Sequence, residues 1–203
     1  MLDGAIRRYI DPGLNRAGGW LAVRGVEADV ITLVGLGFGL FAALMVALGQ
    51  SGLLVLAPLV LGRLADGLDG AVARASQKTD FGGYLDIVSD FAFYGAIPFA
   101  FVVADPAANA VAGAFLLLAF YVNGATFLGY AILAERAGME TDGRGEKSLY
   151  FTAGLLEGTE TILLFVLLAF VPGWFAPLAW IFGLLCLVTA GARMALAWRV
   201  FQN

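Results

Sequence analysis

The sequence predicts an all-α, polytopic membrane protein with six transmembrane helices and an N-terminal amphipathic helix at the membrane interface. Of its 203 residues, 61% are hydrophobic and only 14% are charged. Nearly uncharged stretches also recur at the length needed to cross a bilayer, about 20 residues at ~1.5 Å each. We therefore expect an interfacial segment over residues 1–28 and a six-helix membrane domain over residues 29–203.

The N-terminal segment combines apolar residues with Arg7, Arg8, Arg16 and Arg24, and Trp20 lies among them. A helix of this composition lies along a bilayer with its bases toward anionic headgroups and its tryptophan at the boundary. A solvated arm is the alternative. The arginines spread over more residues than the short n-region of a cleaved signal, so the segment is expected to be retained.

Six apolar stretches follow, and each is long enough to cross the hydrocarbon core. They cover residues 30–49, 52–75, 82–103, 107–134, 149–171 and 175–193. Lys and Arg concentrate at the two termini, in the turn at residues 74–78 and in the loop at residues 136–147, whereas the loops near residues 50, 105 and 173 contain neither. The positive-inside rule therefore places both termini in the cytoplasm.

The composition also excludes several kinds of chemistry. The net charge of −4 argues against a nucleic-acid partner. The chain has no His, and its single Cys186 lies in an apolar stretch, so we expect no imidazole base, no disulfide and no cysteine-ligated metal. Any catalysis is expected to depend on carboxylates.

Acidic and small residues recur at helical spacing on two successive predicted helices. On the second helix they are Asp66, Asp69, Gly70 and Ala73, and on the third they are Gly82, Asp86 and Asp90. Spacings of three and four residues place each set on one face of its helix. The connecting residues 75–81 are few and polar, so the two helices are expected to be antiparallel neighbours with both rows near the cytoplasmic surface.

Four carboxylates in so small a volume predict a metal site. Like charges at this spacing cannot all stay ionised without a cation, and oxygen ligands favour Mg²⁺ or Mn²⁺. Two such ions are the usual arrangement for gripping a diphosphate. Gly70 and Gly82 leave room for a ligand beside the backbone, and Arg74 offers a planar fork to phosphate oxygens. Alternatively, the acids pair with Arg63, Arg74 and Lys78, and the glycines serve helix packing.

The same passage carries a family resemblance. The run DGLDGAVAR followed by FGGYLDIVSD resembles the signature of the CDP-alcohol phosphotransferases, D-x2-D-G-x2-A-R-x7-G-x3-D-x3-D, and every fixed position is matched. The resemblance implies a membrane enzyme of phospholipid biosynthesis that moves a phosphatidyl group from a CDP-linked lipid, usually CDP-diacylglycerol, to an alcohol and releases CMP. It also implies a homodimer.

The resemblance assigns roles to the matched positions. Asp66, Asp69 and Asp86 would bind metal. Asp90 would lie close to the second ion and act as the general base that takes the proton of the acceptor hydroxyl. Thr32 is a candidate for the donor pocket, because ADVITLVG at residues 28–35 is similar to the family's entry into the first helix, P-N-x-I-T, with Ala and Asp in place of Pro and Asn. The other residues expected to line the cytidine diphosphate pocket are Asp66, Asp69, Gly70, Ala73, Arg74 and Gly82.

The acceptor is predicted from residues outside the signature. Glu157, Glu160 and Thr161 share one face of the fifth predicted helix and could face the cavity of Asp90, which suits a hydroxyl-rich or cationic alcohol such as choline. Alternatively they anchor an arginine or close a packing network. Arg144 and Lys147, in the loop before that helix, could instead recognise glycerol phosphate or inositol phosphate, although such a loop is commonly just solvated.

Two other classes of protein also use intramembrane acids. A Mg²⁺-dependent prenyltransferase binds a diphosphate, but it would need two separate D-x3-D motifs on a longer bundle, and here both rows fall in one helical hairpin. A cation transporter would place acids near mid-membrane on broken helices of a repeated architecture, and no internal repeat is visible. The transferase is therefore the favoured function.

Overall fold

The computed structural model describes residues 3–139, 156 and 158–202, with side chains from residue 9 onward. The described chain is all-α, as predicted. Its helices are α1 (Asp3–Val23), α2 (Ala28–Ala47), α3 (Leu53–Ala75), α4 (Asp80–Ala104), α5 (Pro106–Arg136), α6 (Gly158–Phe170) and α7 (Phe175–Phe201), with a 3₁₀ turn at Pro172–Trp174.

The architecture is that of a polytopic membrane protein. Four described helices are long and apolar enough to cross a membrane: α2, α4, α5 and α7 with its preceding turn. Helix α3 has 23 residues but carries the acidic row, and α6 contributes 13 apolar residues. The predicted stretch 149–171 includes α6, and the part of it before α6 lies outside the described residues apart from Leu156.

Helix starts follow local hydrogen bonding. The Thr79 hydroxyl accepts the Gly82 N–H at 2.9 Å and so caps α4. Asp105 caps α5 by accepting the Ala108 N–H at 3.1 Å, with proline at the first helical position. These caps place the helix starts within two residues of the predicted stretches 82–103 and 107–134.

Helix α7 continues beyond the predicted end at Arg193 to Phe201. Arg193 is buried, and its Nη1 donates to the Asn123 side chain at 3.0 Å and to the Thr126 hydroxyl at 3.0 Å, both on α5. A charged residue normally marks the end of an apolar stretch, but here polar groups of a neighbouring helix accommodate it. The helix therefore continues past Arg193 to Phe201.

The core is built by α2 to α7, with aromatic contacts between helices. Phe93 of α4 meets Phe165 of α6 edge-on at 5.7 Å between ring centres. Glycines allow α2 and α3 to pack closely, since a Cβ on Gly62 would meet the Gly35 carbonyl oxygen at 3.0 Å. This close packing sets the acidic row of α3 beside the start of α2.

Helix α1 packs against the acidic half of α3. Gly18 lies on Ala71, and Leu14 lies on Gly67. On the other side of α1, Tyr9 and Trp20 are exposed. The helix is thus docked on the rest of the protein, and its exposed aromatic residues are of the kind that suit a headgroup layer.

We expect Gly18→Ala to loosen this docking. The new Cβ would lie 2.7 Å from the Ala71 Cβ and 2.8 Å from its backbone carbon, so one helix must move, at a cost of about 1–3 kcal/mol. Gly19→Ala is the matched control, because its Cβ would meet no described atom within 4 Å and both changes gain similar helix propensity. Limited proteolysis in detergent should cleave α1 faster in the first variant only; equal cleavage would refute the docking.

Candidate active site

Three of the predicted acids converge between α3 and α4. Asp66, Asp86 and Asp90 each offer one carboxylate oxygen, and these oxygens lie within 4.8 Å of one another. Helices α3 and α4 each pack more extensively against α2 than against each other. The acids therefore meet across an open space between two helices that α2 holds at a distance.

Asp69 is the fourth predicted ligand, and it is not among the three acids whose oxygens lie within 4.8 Å of one another. It is 5% exposed, and it accepts a hydrogen bond from the Thr32 hydroxyl of α2 at 2.5 Å. Its other oxygen accepts the Gly70 N–H. The structure thus joins the predicted residues Asp69 and Thr32 directly, a contact between positions 37 residues apart in the chain.

Arg63 is part of the acidic cluster. Its Nη1 donates to Asp90 Oδ1 at 2.9 Å and lies 3.4 Å from Asp66 Oδ1. Sequence reasoning considered this arginine only as a partner in an alternative set of ion pairs. The available signal was its spacing, because a residue three positions before Asp66 shares its helix face.

A cavity of about 210 Å³ adjoins the acids. Six of the seven residues predicted for the donor pocket line it: Thr32, Asp69, Gly70, Ala73, Arg74 and Gly82. The seventh, Asp66, does not line this cavity and lies instead with the converging acids. The cavity contains Asp86 as well, so it reaches the acidic cluster. The pocket prediction had not included its remaining lining residues, which are Ala28, Asp29, Gln77, Lys78, Thr79 and Gly83.

Glycine and arginine shape this cavity. A Cβ on Gly82 would meet Asp29 Oδ1 at 2.9 Å, and one on Gly70 would meet Arg74 Nη1 at 3.3 Å, so the two glycines keep the space open. Arg74 Nη2 donates to the Asn15 side chain of α1 at 2.9 Å. Helix α1 thereby holds one side of the guanidinium fork at the edge of the cavity.

The family comparison agrees with this geometry. The family model for CDP-alcohol phosphatidyltransferases matches residues 26–198, which covers α2 to α7 apart from the last residues. The chain belongs to the CDP-alcohol phosphatidyltransferase family. This membership favours the transferase over the prenyltransferase and transporter alternatives.

Two relatives extend the comparison. The chain is 47% identical over 194 residues to "Inner membrane protein YnjF" of Escherichia coli (strain K12), covering 96% of this chain and 94% of that protein. It is also similar to the crystal structure of Mycobacterium tuberculosis phosphatidylinositol phosphate synthase (PgsA1) with CDP-DAG bound, at a TM-score of 0.71 and 22% identity, covering 91% and 93% of the two chains. At that identity the second likeness is one of fold.

The acidic cluster of this member of the CDP-alcohol phosphatidyltransferase family is consistent with the family's divalent metal site. Two oxygens that ligate one Mg²⁺ at ~2.1 Å lie at most ~4.2 Å apart. The oxygens of Asp66, Asp86 and Asp90 lie within 4.8 Å of one another, so rotation of these side chains toward a shared ion would bring them into ligating range. A set of carboxylates alone matches a hard cation.

The predicted acceptor residues fall at the start of α6. Glu160 and Thr161 lie in its first turn, with Thr161 buried. Gly158 of the same turn lies on Tyr94, where a Cβ would meet the phenol oxygen at 3.0 Å. Tyr94 follows Asp90 by one turn of α4, and its ring centre lies 6.0 Å from the guanidinium carbon of Arg63, so the Tyr94 side chain links the start of α6 to the arginine of the acidic cluster. Glu157, Arg144 and Lys147 lie outside the described residues.

Proposed function

We propose that this protein transfers a phosphatidyl group from CDP-diacylglycerol, or a closely similar CDP-linked lipid, to an alcohol hydroxyl and releases CMP. One observation carries the proposal: the carboxylates of Asp66, Asp86 and Asp90 converge beside a cavity lined by the glycines and arginine of the same signature. A nucleoside diphosphate needs both features, because its phosphates bind through cations and its nucleoside needs space beside the backbone.

The donor would occupy the cavity. Its cytidine diphosphate would lie against Gly70, Ala73 and Gly82, with the Arg74 fork toward phosphate oxygens. Thr32 of α2 and Asp69 of α3, which are joined by a hydrogen bond, would form one wall of this donor pocket. The solved relative PgsA1 holds CDP-DAG, which supports a donor of this class.

The reaction would be an in-line displacement at the phosphorus that bears the diacylglycerol. The acceptor oxygen forms a bond to that phosphorus, the bond to the CMP oxygen breaks, and CMP departs with the electron pair. Asp90 takes the hydroxyl proton. Asp66, Asp69, Asp86 and Asp90 would hold divalent ions, Mg²⁺ or Mn²⁺ and two in number, which when bound neutralise the diphosphate charge.

The membrane arrangement follows from the same reasoning. We propose that α2 to α7 are the six membrane-spanning helices of residues 29–203, and that residues 1–28 lie at the cytoplasmic interface. Both termini would then be cytoplasmic, and the acids would lie near that face, where a soluble alcohol can reach a lipid donor. Twenty-seven glycines allow close helix packing and support a homodimer.

The acceptor pocket would lie on the α6 side of Asp90. Glu160 and Thr161 at the start of that helix, together with Glu157, suit a hydroxyl-rich or cationic alcohol such as choline. Arg144 and Lys147 would instead favour glycerol phosphate or inositol phosphate. The contact of Gly158 with Tyr94 supports this location, because it brings α6 next to the turn that follows Asp90.

The test is CMP release by the purified protein from labelled CDP-diacylglycerol with Mg²⁺ or Mn²⁺. Choline, glycerol 3-phosphate, inositol 1-phosphate and inositol are added in turn. We expect one of them to stimulate release at least tenfold over the rate without alcohol, and that alcohol names the acceptor class. Absence of release with every divalent ion and every alcohol would rule out the proposed reaction.

A further inference from the structure

A largely buried arginine lies inside the acidic cluster, and none of the roles above uses it. The Arg63 side chain is 13% exposed, and its Nη1 lies 2.9 Å from Asp90 Oδ1 and 3.4 Å from Asp66 Oδ1. Its charge is therefore shared by two of the three carboxylates that converge. Arg63 does not line the donor cavity.

Aromatic rings fix the guanidinium from the opposite side. Its central carbon lies 4.2 Å from the ring centre of Phe93 and 6.0 Å from that of Tyr94, both within cation–π range. Phe93 is 1% exposed and is itself packed on Phe165 of α6. The guanidinium is thus held between a rigid aromatic surface and the acids, and it has little freedom to leave when the cluster binds another cation.

Packing alone does not explain an arginine at this position. Its Nε is buried and makes no hydrogen bond within the described residues, which costs folding free energy. A cation in an apolar helix is also costly in a membrane protein. An apolar side chain would cover Phe93 without either cost but would leave Asp66 and Asp90 without this cation, so the charge of Arg63 acts on these two carboxylates.

We propose that Arg63 is a positioning residue with two effects. It holds Asp90 through Oδ1, so that this carboxylate has one orientation toward the acceptor hydroxyl. It also places a permanent positive charge against two carboxylates of the metal cluster, and so weakens their hold on divalent ions and keeps the ions exchangeable. The first effect rests on the proposed transferase function, whereas the second concerns the cluster alone.

The test replaces Arg63 and measures metal binding separately from turnover. In Arg63→Met, the unbranched stem still packs on Phe93 but the charge is lost. We expect Mn²⁺, followed by the paramagnetic resonance signal of the free ion, to bind with a Kd about tenfold lower, because a unit charge a few ångströms from two ligands is removed. We expect kcat for alcohol-dependent CMP release to fall at least tenfold, with the KM for CDP-diacylglycerol within about twofold of wild type.

Two further variants separate the charge from the rest of the side chain. Arg63→Lys keeps the charge but not the fork, so we expect a Kd for Mn²⁺ within about twofold of wild type and a kcat between those of wild type and the methionine variant. Arg24→Met is the matched control. Arg24 also stacks on an aromatic ring, Trp20 at 3.4 Å, but it donates to the backbone oxygen of Trp20 and not to a carboxylate, so we expect neither Kd nor kcat to change.

The opposite signs of the two effects make the proposal testable. A merely structural arginine would weaken Mn²⁺ binding, turnover and donor binding together when replaced, and that result would overturn the proposal. An unchanged Kd for Mn²⁺ in Arg63→Met would overturn it as well. If the wild-type protein binds Mn²⁺ but releases no CMP, the transferase function fails while the metal measurements still decide the second effect of Arg63.

Discussion

Asp90→Asn is expected to lower kcat for alcohol-dependent CMP release by at least ~10²-fold, because general-base catalysis by a positioned carboxylate contributes about 10²- to 10⁴-fold. Asparagine has nearly the same size and keeps an oxygen that can accept from Arg63, which donates to Asp90 Oδ1 at 2.9 Å. The amide cannot take the hydroxyl proton. Since Asp90 does not line the donor cavity, and Asp66, Asp69 and Asp86 would still hold ions on the diphosphate, binding of CDP-diacylglycerol should change by no more than about twofold.

Turnover is measured as labelled CMP released per minute, and donor binding by equilibrium retention of labelled CDP-diacylglycerol in detergent micelles. Asp80→Asn is the control, since Asp80 is an exposed acid at the start of the same helix and lies outside the group of converging acids. It should retain turnover within about twofold. If Asp90→Asn retains more than a tenth of wild-type turnover, Asp90 is not the base.

Asp86→Asn should abolish divalent-ion binding and turnover together. Asp86 is the member of the acidic group that also lines the donor cavity, so it would link the ions to the diphosphate. Loss of a partner that only supports a metal ligand typically costs 10- to 100-fold in metal affinity, and loss of a ligand itself should cost at least the upper end of that range. We therefore expect the Kd for Mn²⁺ to rise at least ~10²-fold.

The same loss of turnover should follow removal of divalent ions from the wild-type protein with a chelator, and added Mg²⁺ or Mn²⁺ should restore it. Restoration should fail in Asp86→Asn at ion concentrations that saturate the wild type. Asp80→Asn again serves as the control and should bind Mn²⁺ normally. Tight Mn²⁺ binding by Asp86→Asn would remove Asp86 from the set of ligands and leave the diphosphate end of the site unassigned.

The convergence of Asp66, Asp86 and Asp90 was predictable from spacing alone. Helical periodicity puts residues three or four apart on one face, and a short polar connection brings two such faces together. Neither inference needs any knowledge of distant parts of the chain. The same local logic predicted Gly70 and Gly82 as pocket residues, and both glycines line the cavity.

Contacts between distant segments of the chain could not be predicted from helical spacing. The hydrogen bond from Thr32 to Asp69 joins α2 to α3, and it engages one oxygen of that carboxylate. The hydrogen bond from Arg74 to Asn15 spans 59 positions and brings the N-terminal helix to the donor cavity. The sequence predicted α1 as an interfacial helix. Its docking on α3 depends on the contact of Gly18 with Ala71, and a glycine in a helix does not by itself indicate a contact with another helix.

By itself, the sequence determined the all-α class, the membrane setting, the rows of acids and the family, because composition, periodicity and an unbroken signature are properties of the chain read in order. The tertiary structure decided which carboxylates meet, which one accepts a hydrogen bond from Thr32, and that Arg63 lies between an aromatic surface and two of the acids. The physical reason is that electrostatic and packing energies depend on distances between helices. Those distances are set by the contacts of the whole bundle and by small residues such as Gly35 and Gly62, and spacing along one helix does not contain them.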